Sequence, residues 1–139
     1  MKNILLIDDD YYKRENYKES LSEIYKDDYC NFSEFKSRNM ALEFMKENYS
    51  ELDLIILDWN FPIYENSFAI PDAGDYILNF LKKMDANIDV IICSREEATP
   101  EVDYSNIIGF CLYQDDISLT DEFRKIIQKN KIFVKEKNK

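Results

Sequence analysis

The sequence predicts a single α/β domain, built on a doubly wound, five-stranded parallel sheet with helices on both faces. Three observations support this prediction. Five short apolar runs alternate with segments of helical period, the chain has 139 residues, and about 45% of them are apolar. Alternating strands and helices favour parallel pairing through right-handed crossovers. A chain of this length suits one domain with a substantial core.

The first half of the chain contains three strand candidates. Residues 4–7 form a continuous apolar run, which is typical of a strand buried on both faces. Residues 29–35 form a weaker candidate, and residues 52–57 form the strongest one. Helical stripes lie between them, with Ser37 as the predicted N-cap of the second helix. The two stripes are Tyr17, Leu21, Ile24 and Tyr25, and then Ala41, Phe44, Met45 and Tyr49.

The second half continues the alternation after an irregular stretch over residues 61–72, which contains two prolines. Residues 88–93 and 107–112 are the remaining strand candidates, and residues 96–106 have so poor a period that any helix there is short. The predicted helix stripes are Ile77, Phe80, Leu81 and Met84, and then Leu119, Phe123, Ile126 and Ile127. We therefore expect one domain over residues 1–134, followed by a frayed tail over residues 135–139.

Composition excludes several classes of function. The chain has 18 basic and 28 acidic residues, a formal net charge of −10, which disfavours binding to nucleic acid or anionic lipid. It has no histidine, and its two glycines cannot supply a glycine-rich phosphate loop. No apolar run approaches the ~20 residues of a membrane span, and the N-terminus becomes acidic too soon for a signal peptide. We therefore expect a cytoplasmic protein without membrane insertion.

Acidic side chains follow two of the predicted strands. Asp8, Asp9 and Asp10 come after the first strand, and Asp58 comes directly after the third. Helix capping alone would explain the triplet. If the two strands are neighbours, however, the carboxylates crowd one pocket at the sheet edge where doubly wound proteins bind ligands. All-oxygen ligation favours a hard cation, Mg²⁺ first.

These segments resemble the receiver domain of bacterial two-component response regulators. The matching pieces are ILLIDD at residues 4–9, LIILDWNFP at 54–62, VIICS at 90–94 and GFCL at 109–112. The resemblance implies a flavodoxin-like sheet with strand order 2-1-3-4-5. It further implies a stand-alone receiver, not an enzyme, that a histidine kinase or phosphotransfer protein phosphorylates. The phosphoryl group would then switch a surface for a downstream effector protein, and the resemblance also allows a homodimer.

The resemblance assigns roles to individual residues. Asp58 becomes the phosphoacceptor, Ser94 a contact of the phosphoryl oxygens, and Phe110 the aromatic residue that reports the switch. The Mg²⁺ ligands that it implies are Asp8, Asp9, Asp58 and the backbone carbonyl of Asn60. Phosphoryl transfer needs alignment and positive charge more than covalent help, which is consistent with these roles.

The chain departs from the family at the end of the fifth strand. The family has a lysine there, usually followed by proline, whereas this sequence has Tyr113 and Gln114. Arg95, next to Ser94, is a candidate substitute cation, although a single arginine more often pairs with a surface carboxylate. The missing lysine keeps open a second hypothesis, a pseudo-receiver that binds partners without phosphorylation. A small hydrolase using Asp58 ranks last, because Asn60 stands where a second aspartate would be needed.

A second departure is the loop over residues 63–73, which is longer than in the family. Its apolar residues, among them Tyr64, Phe68 and Ile70, would cover the acidic pocket or dock a partner. The competing interpretation is a surface excursion whose apolar residues fold down onto the domain. The sequence favours neither interpretation over the other.

Overall fold

The computed structural model describes the backbone of residues 1–137 and the side chains of residues 1–131; residues 138 and 139, the end of the predicted tail, lie outside this range. The strands are β1 (Lys2–Ile7), β2 (Cys30–Phe35), β3 (Leu54–Leu57), β4 (Phe61–Pro62), β5 (Ala69–Ile70), β6 (Asp89–Ser94) and β7 (Ile107–Leu112). The helices are α1 (Tyr11–Ile24), α2 (Arg38–Asn48), α3 (Gly74–Lys83) and α4 (Leu119–Lys137), with a 3₁₀ turn at Tyr49–Glu51. No helix in the described part of the chain is both long and apolar enough to cross a membrane.

Five of the strands form one parallel sheet in the order β2-β1-β3-β6-β7. Numbered by their place in the chain, these are the second, first, third, fourth and fifth strands of the sheet, so the predicted 2-1-3-4-5 order is confirmed. β3 lies between β1 and β6, with Ile7 opposite Leu57 and Leu57 opposite Ile92. The carboxyl ends of β1 and β3 therefore meet at the same edge of the sheet.

Side chains of the central strands alternate between two cores, one on each face of the sheet. Leu5 and Ile7 pack with α2 and α3, whereas Ile4 and Leu6 pack with α1 and α4. Every residue of β3 is buried. This double burial explains why the strands read as continuous apolar runs without a period of two.

Two helices begin at capping side chains close to the carboxyl edge of the sheet. The carboxylate of Asp10 accepts hydrogen bonds from the backbone N–H groups of Tyr12 and Lys13, and this fixes the start of α1. The hydroxyl of Ser37 accepts from Met40 at the start of α2, which confirms the predicted N-cap. The Asp10 cap directs the first turn of α1 toward the ends of β1 and β3.

The structure differs from the prediction in two connections. The irregular stretch contains a short antiparallel hairpin, in which Phe61 of β4 pairs with Ile70 of β5. Between β6 and β7, residues 95–106 contain no helix, not even the short one that the sequence allowed. Pro100 in this connection removes a backbone donor, and its neighbours lack an apolar stripe that could hold a helix on the sheet.

Candidate functional site

Three carboxylates meet at the carboxyl ends of β1 and β3. Asp8, Asp9 and Asp58 each place an oxygen within 4.8 Å of the others. Asp8 and Asp58 are buried, whereas Asp9 is exposed at the mouth of the cluster. The surrounding protein nevertheless desolvates part of the Asp9 carboxyl, and this effect, with a smaller one from the nearby charge of Asp8, raises the pKa of Asp9 above its usual value. The predicted acidic pocket therefore exists, and we call these three residues the acidic cluster.

Asp8 is fixed at both oxygens. Its Oδ1 accepts from the backbone N–H of Asp10 at 2.9 Å. Its Oδ2 accepts from the hydroxyl of Tyr17 at 2.7 Å and lies 2.9 Å from the ammonium of Lys13. The backbone carbonyl of Asp8 also accepts from the guanidinium of Arg14 at 2.9 Å. These contacts fix the orientation of the Asp8 carboxylate in the pocket.

Asp58 is held at one oxygen. Its Oδ1 accepts from the backbone N–H of Trp59 at 2.9 Å and from the ammonium of Lys13 at 3.3 Å. Its Oδ2 accepts no hydrogen bond from the side chains or backbone that the structure describes. Burial and the neighbouring Asp8 carboxylate raise the pKa of Asp58 to about 7, although Lys13 opposes the shift. The arrangement leaves Oδ2 free to react while Oδ1 holds the carboxylate in place.

Lys13 is the cation of this pocket, and it is not among the site residues predicted from the sequence. Its side chain is only 3% exposed, and its ammonium contacts both Asp8 and Asp58. Burial alone would lower the pKa of Lys13, but the two carboxylates raise it on balance. A signal was present, since Lys13 lies four residues before Tyr17 and so extends the buried stripe of α1 by one turn.

Arg95 lies at the rim of the pocket. Its guanidinium lies at the rim, 3.8 Å from Asp10 and 3.7 Å from Asp115, and more than half of the side chain is exposed. The guanidinium of Arg95 also stacks over the ring of Tyr113, with its Cζ atom 5.0 Å from the ring centroid. The carboxylates of Asp10 and Asp115 therefore hold Arg95 at the rim, whereas Lys13 lies inside the pocket; a role of Arg95 as a substitute cation stays a prediction.

Tyr113 directly follows β7, at the position for which the sequence resemblance implies a lysine. The face of its ring lies 5.4 Å from the ammonium of Lys13. The rings of Tyr113 and Tyr17 pack edge to face, with their centroids 6.3 Å apart. The hydroxyl of Tyr113 accepts a hydrogen bond from the side chain of Asn16. A cation over an aromatic face is attracted by the negative face of the ring. Tyr113 therefore helps to hold a lysine that comes from α1 instead of β7.

The other predicted residues line the surroundings of the pocket. Ser94 ends β6, is buried, and accepts from the backbone N–H of Glu96 at 3.4 Å. Phe110 lies on β7 and is 55% exposed. Ser94, Phe110 and Ile92 border an open cleft of about 530 Å³. Asn60 directs its side-chain oxygen to the backbone N–H of Asp72 at 3.0 Å, which ties the hairpin to the end of β3.

The long loop is a surface excursion anchored at its base. The indole N–H of Trp59 donates to Asp72 at 2.8 Å, and Phe61 is fully buried. Ile70 packs against the core, whereas Tyr64 and Phe68 are exposed, Phe68 by 94%. The hydrogen bonds and ion pairs of the acidic cluster, among the described residues, involve no residue of this loop. The loop contacts the residues that follow Asp58 through Asp72, which is bonded to both Trp59 and Asn60.

The donor set of the acidic cluster is one that a divalent cation can use. Three carboxylate oxygens at this spacing are typical ligands of a hard ion. Lys13 adds a condition, because its ammonium already contacts two of the three carboxylates. A cation that enters the cluster therefore meets a positive charge that belongs to the protein itself.

The raised pKa of Asp58 makes the stability of the chain depend on pH. Because this pKa is about 7 in the folded chain, against 3.8 for an ordinary aspartate, folding strengthens proton binding. The resulting stabilisation is present below about pH 4 and is lost as the pH rises through about 7. We expect Asp58→Asn to gain stability relative to the wild type between about pH 5 and pH 8. Urea denaturation in EDTA measures the free energy of unfolding of both proteins. If this free energy depends on pH in the same way for the wild type and for Asp58→Asn, the prediction is contradicted.

No family model matches the sequence, and no curated protein is similar to it. Solved structures do match. A response regulator receiver domain protein from Clostridium thermocellum has 20% identity and a TM-score of 0.58, over 96% of this chain and 99% of that one. The Mn²⁺-bound response regulator Rcp1 has 19% identity and a TM-score of 0.63, over 91% of each chain. The phosphorylated cyanobacterial phytochrome response regulator RcpA has 18% identity and a TM-score of 0.64, over 90% of each chain.

These similarities agree with the sheet order of the chain. At such identities a structural match establishes the architecture, whereas function depends on the site itself. The segments that carried the sequence resemblance are the same ones that form β1, β3, β6 and β7. The chain therefore has the fold of response regulator receiver domains.

Proposed function

We propose that the chain is a cytoplasmic receiver that accepts a phosphoryl group on Asp58 in a Mg²⁺-dependent reaction. The donor would be a phosphohistidine of a partner histidine kinase or phosphotransfer protein. The observation that supports this most directly is the Asp58 carboxylate, buried at the end of β3 with Oδ1 held and Oδ2 free. A carboxylate becomes an effective nucleophile when it is positioned in this way.

The proposed step is a direct transfer. Oδ2 of Asp58 forms a bond to phosphorus while the bond between phosphorus and the imidazole nitrogen of the donor breaks. The electron pair of that bond stays on the nitrogen, which takes up a proton from solvent. The chain itself contains no histidine, so the donor must be another molecule. The chain would act as a switch, not as an enzyme.

Within this proposal Asp8, Asp9 and Asp58 would hold the Mg²⁺ ion, with the backbone carbonyl of Asn60 as a further ligand. When bound, Mg²⁺ supplies positive charge for the oxygens of the transferred group. Asp8 keeps its own orientation through Tyr17 and the backbone of Asp10.

Ser94 and Phe110 would carry the signal away from Asp58. The hydroxyl of Ser94 can donate a hydrogen bond to a phosphoryl oxygen, which would draw the start of the β6–β7 connection inward. Phe110 borders the same cleft as Ser94, so a shift of that connection changes the surroundings of the ring. An effector protein that contacts this margin of the sheet would read the change.

Intact-mass measurement tests the proposal. The wild-type chain, incubated with Mg²⁺ and a small phosphodonor such as acetyl phosphate, should gain the mass of one phosphoryl group. Asp58→Asn should gain none, because an amide oxygen is a poor nucleophile. Asp115→Asn is the matched control, since its carboxylate is exposed at the rim, and it should behave as the wild type does.

Two results would contradict the proposal. One is a wild-type chain that gains no mass, also when a phosphorylated phosphotransfer protein replaces the small donor; that result would leave the pseudo-receiver hypothesis. The other is an equal gain by the Asp58→Asn variant, which would move the acceptor to a different residue.

A further inference from the structure

The pocket around Asp58 already contains a positive charge that belongs to the chain. The ammonium of Lys13 lies 2.9 Å from Oδ2 of Asp8 and 3.3 Å from Oδ1 of Asp58. These two residues are also two of the three carboxylates that converge in the acidic cluster. The lysine thus occupies the space between the carboxylates, where a bound cation would reduce their mutual repulsion.

The position of Lys13 is fixed by the start of α1. The carboxylate of Asp10 caps the helix and accepts from the backbone N–H of Lys13 itself at 3.3 Å. Side chains of a helix lean toward its N-terminus, so a lysine in the first turn reaches back to the ends of β1 and β3. Tyr113 lies against the ammonium from the side of β7. The side chain is therefore enclosed, unlike a surface lysine that exchanges among partners.

The same contacts bear on metal binding. A divalent ion that binds Asp8 and Asp58 must either displace the ammonium or accept it as a close neighbour of like charge. Both routes cost free energy, since like charges at such distances repel strongly in a partly desolvated site. Arg95 differs, because it pairs with Asp10 and Asp115 at the rim and contacts neither buried carboxylate.

We propose that Lys13 is a tethered cation that competes with a divalent metal ion for the carboxylates of Asp8 and Asp58. The lysine satisfies the two buried acids in the absence of metal, and the ion binds only against the charge of the ammonium, either by displacing it or by lying beside it. For its signalling role this inference rests on the proposed function, in which Asp58 is the acceptor. The competition itself needs no phosphorylation.

A consequence for the proposed function concerns the lysine missing from β7. An ammonium displaced from between Asp8 and Asp58 remains attached to the first turn of α1, close to Asp58. It can then pair with oxygens of the phosphoryl group, which carries nearly two negative charges. The chain would thus provide from α1 the charge that Tyr113 cannot provide from β7.

The competition is tested with Mg²⁺ alone. Trp59 is the only tryptophan and lies beside Asp58, so its fluorescence reports binding, and calorimetry gives an independent measure. Lys13→Met removes the charge and keeps an unbranched side chain. Arg95→Met removes a charge from the rim and controls for the change in net charge. Lys13→Arg keeps the charge in the pocket.

We expect Lys13→Met to bind Mg²⁺ at least about tenfold more tightly than the wild type, because removing a close like charge favours the ion. Arg95→Met should change the dissociation constant by less than about threefold, since an exposed rim charge acts through solvent. Lys13→Arg should bind as weakly as the wild type. Tighter binding restricted to Lys13→Met supports the proposal.

Equal dissociation constants for the wild type and Lys13→Met would overturn it, and so would the absence of binding by both. If Lys13→Met folds only poorly without metal, circular dichroism replaces the titration. Recovery of the folded spectrum with Mg²⁺ then supports competition, and a variant that Mg²⁺ neither binds nor refolds counts against it. A wild type that never takes up phosphate would end the proposed function and leave this result unchanged.

Discussion

Replacing Lys13 with methionine should lower the free energy of unfolding by about 3–5 kcal/mol at about pH 8 without metal. The variant leaves the carboxylates of Asp8 and Asp58 buried beside each other with no counter-charge in contact. Removal of one partner of a buried ion pair costs more than the pair contributes, because the remaining charges are desolvated and unpaired. Urea denaturation followed by circular dichroism gives the difference.

The loss should shrink as the pH falls toward about 5, because protonation of one carboxylate removes the repulsion. In the folded variant, both the loss of the Lys13 ammonium and the charge of the neighbouring Asp8 favour the protonated form of the Asp58 carboxyl. Lower pH therefore reduces the loss of stability. Arg95→Met is the control, and as an exposed charge it should change stability by less than about 1 kcal/mol. A Lys13→Met variant as stable as the wild type at both pH values would contradict the buried ion pair.

The second large effect concerns Gly74, the first residue of α3. A Cβ atom built at Gly74 would overlap the Cε3 and Cζ3 atoms of the Trp59 ring. This ring cannot easily yield, since it is buried and its indole N–H is bonded to Asp72. We expect Gly74→Ala to cost about 3 kcal/mol, at the upper end of what overpacking a core costs. Thermal and urea unfolding measure it.

The other glycine provides a matched comparison. A Cβ atom at Gly109 would lie 2.6 Å from Cγ2, 2.9 Å from Cγ1 and 3.0 Å from Cδ1 of Ile126, a half-buried side chain on α4. Because Ile126 is only half-buried, it can shift toward solvent more easily than the buried Trp59 ring, so Gly109→Ala should cost only about 1 kcal/mol. Gly74→Ala should also shift the emission of Trp59, whereas Gly109→Ala should not. Equal losses in the two variants would show that the Trp59 ring moves more freely than its contacts indicate.

The central fold was predictable because its strands are buried on both faces. Four apolar residues in β3 and four in β1 can hardly be placed elsewhere than inside a parallel sheet. The hairpin of β4 and β5 was not predictable, since strands of two residues leave no period to detect. For the connection before β7, the sequence predicted that any helix would be short, but not that the helix would be absent. Pro100 indicated a break, but its effect on the whole connection depends on packing that a sequence does not display.

The candidate site was predictable wherever a residue ends a strand. Asp8, Asp58 and Ser94 lie at carboxyl ends of neighbouring strands, so their shared edge follows from the strand order. The position of Lys13 in the site was not predictable, because lysine is rarely buried and an amphipathic stripe is normally extended only through apolar residues. Its recognition requires the distance to two acids that are far away in the sequence. The sequence indicates Arg95 as a candidate cation only because it is adjacent to Ser94, and this adjacency does not give its distance from the two buried acids.

The uncovered margin of β7 influences how copies of the chain behave toward one another. Phe110 and Leu112 present apolar surface to water, while each copy carries a formal charge of −10. Long-range repulsion between copies extends over the Debye length, about 30 Å in dilute buffer and about 8 Å at physiological ionic strength. Added salt shortens this reach without weakening the attraction between apolar surfaces. The colloidal stability of the protein therefore depends on ionic strength as well as on concentration.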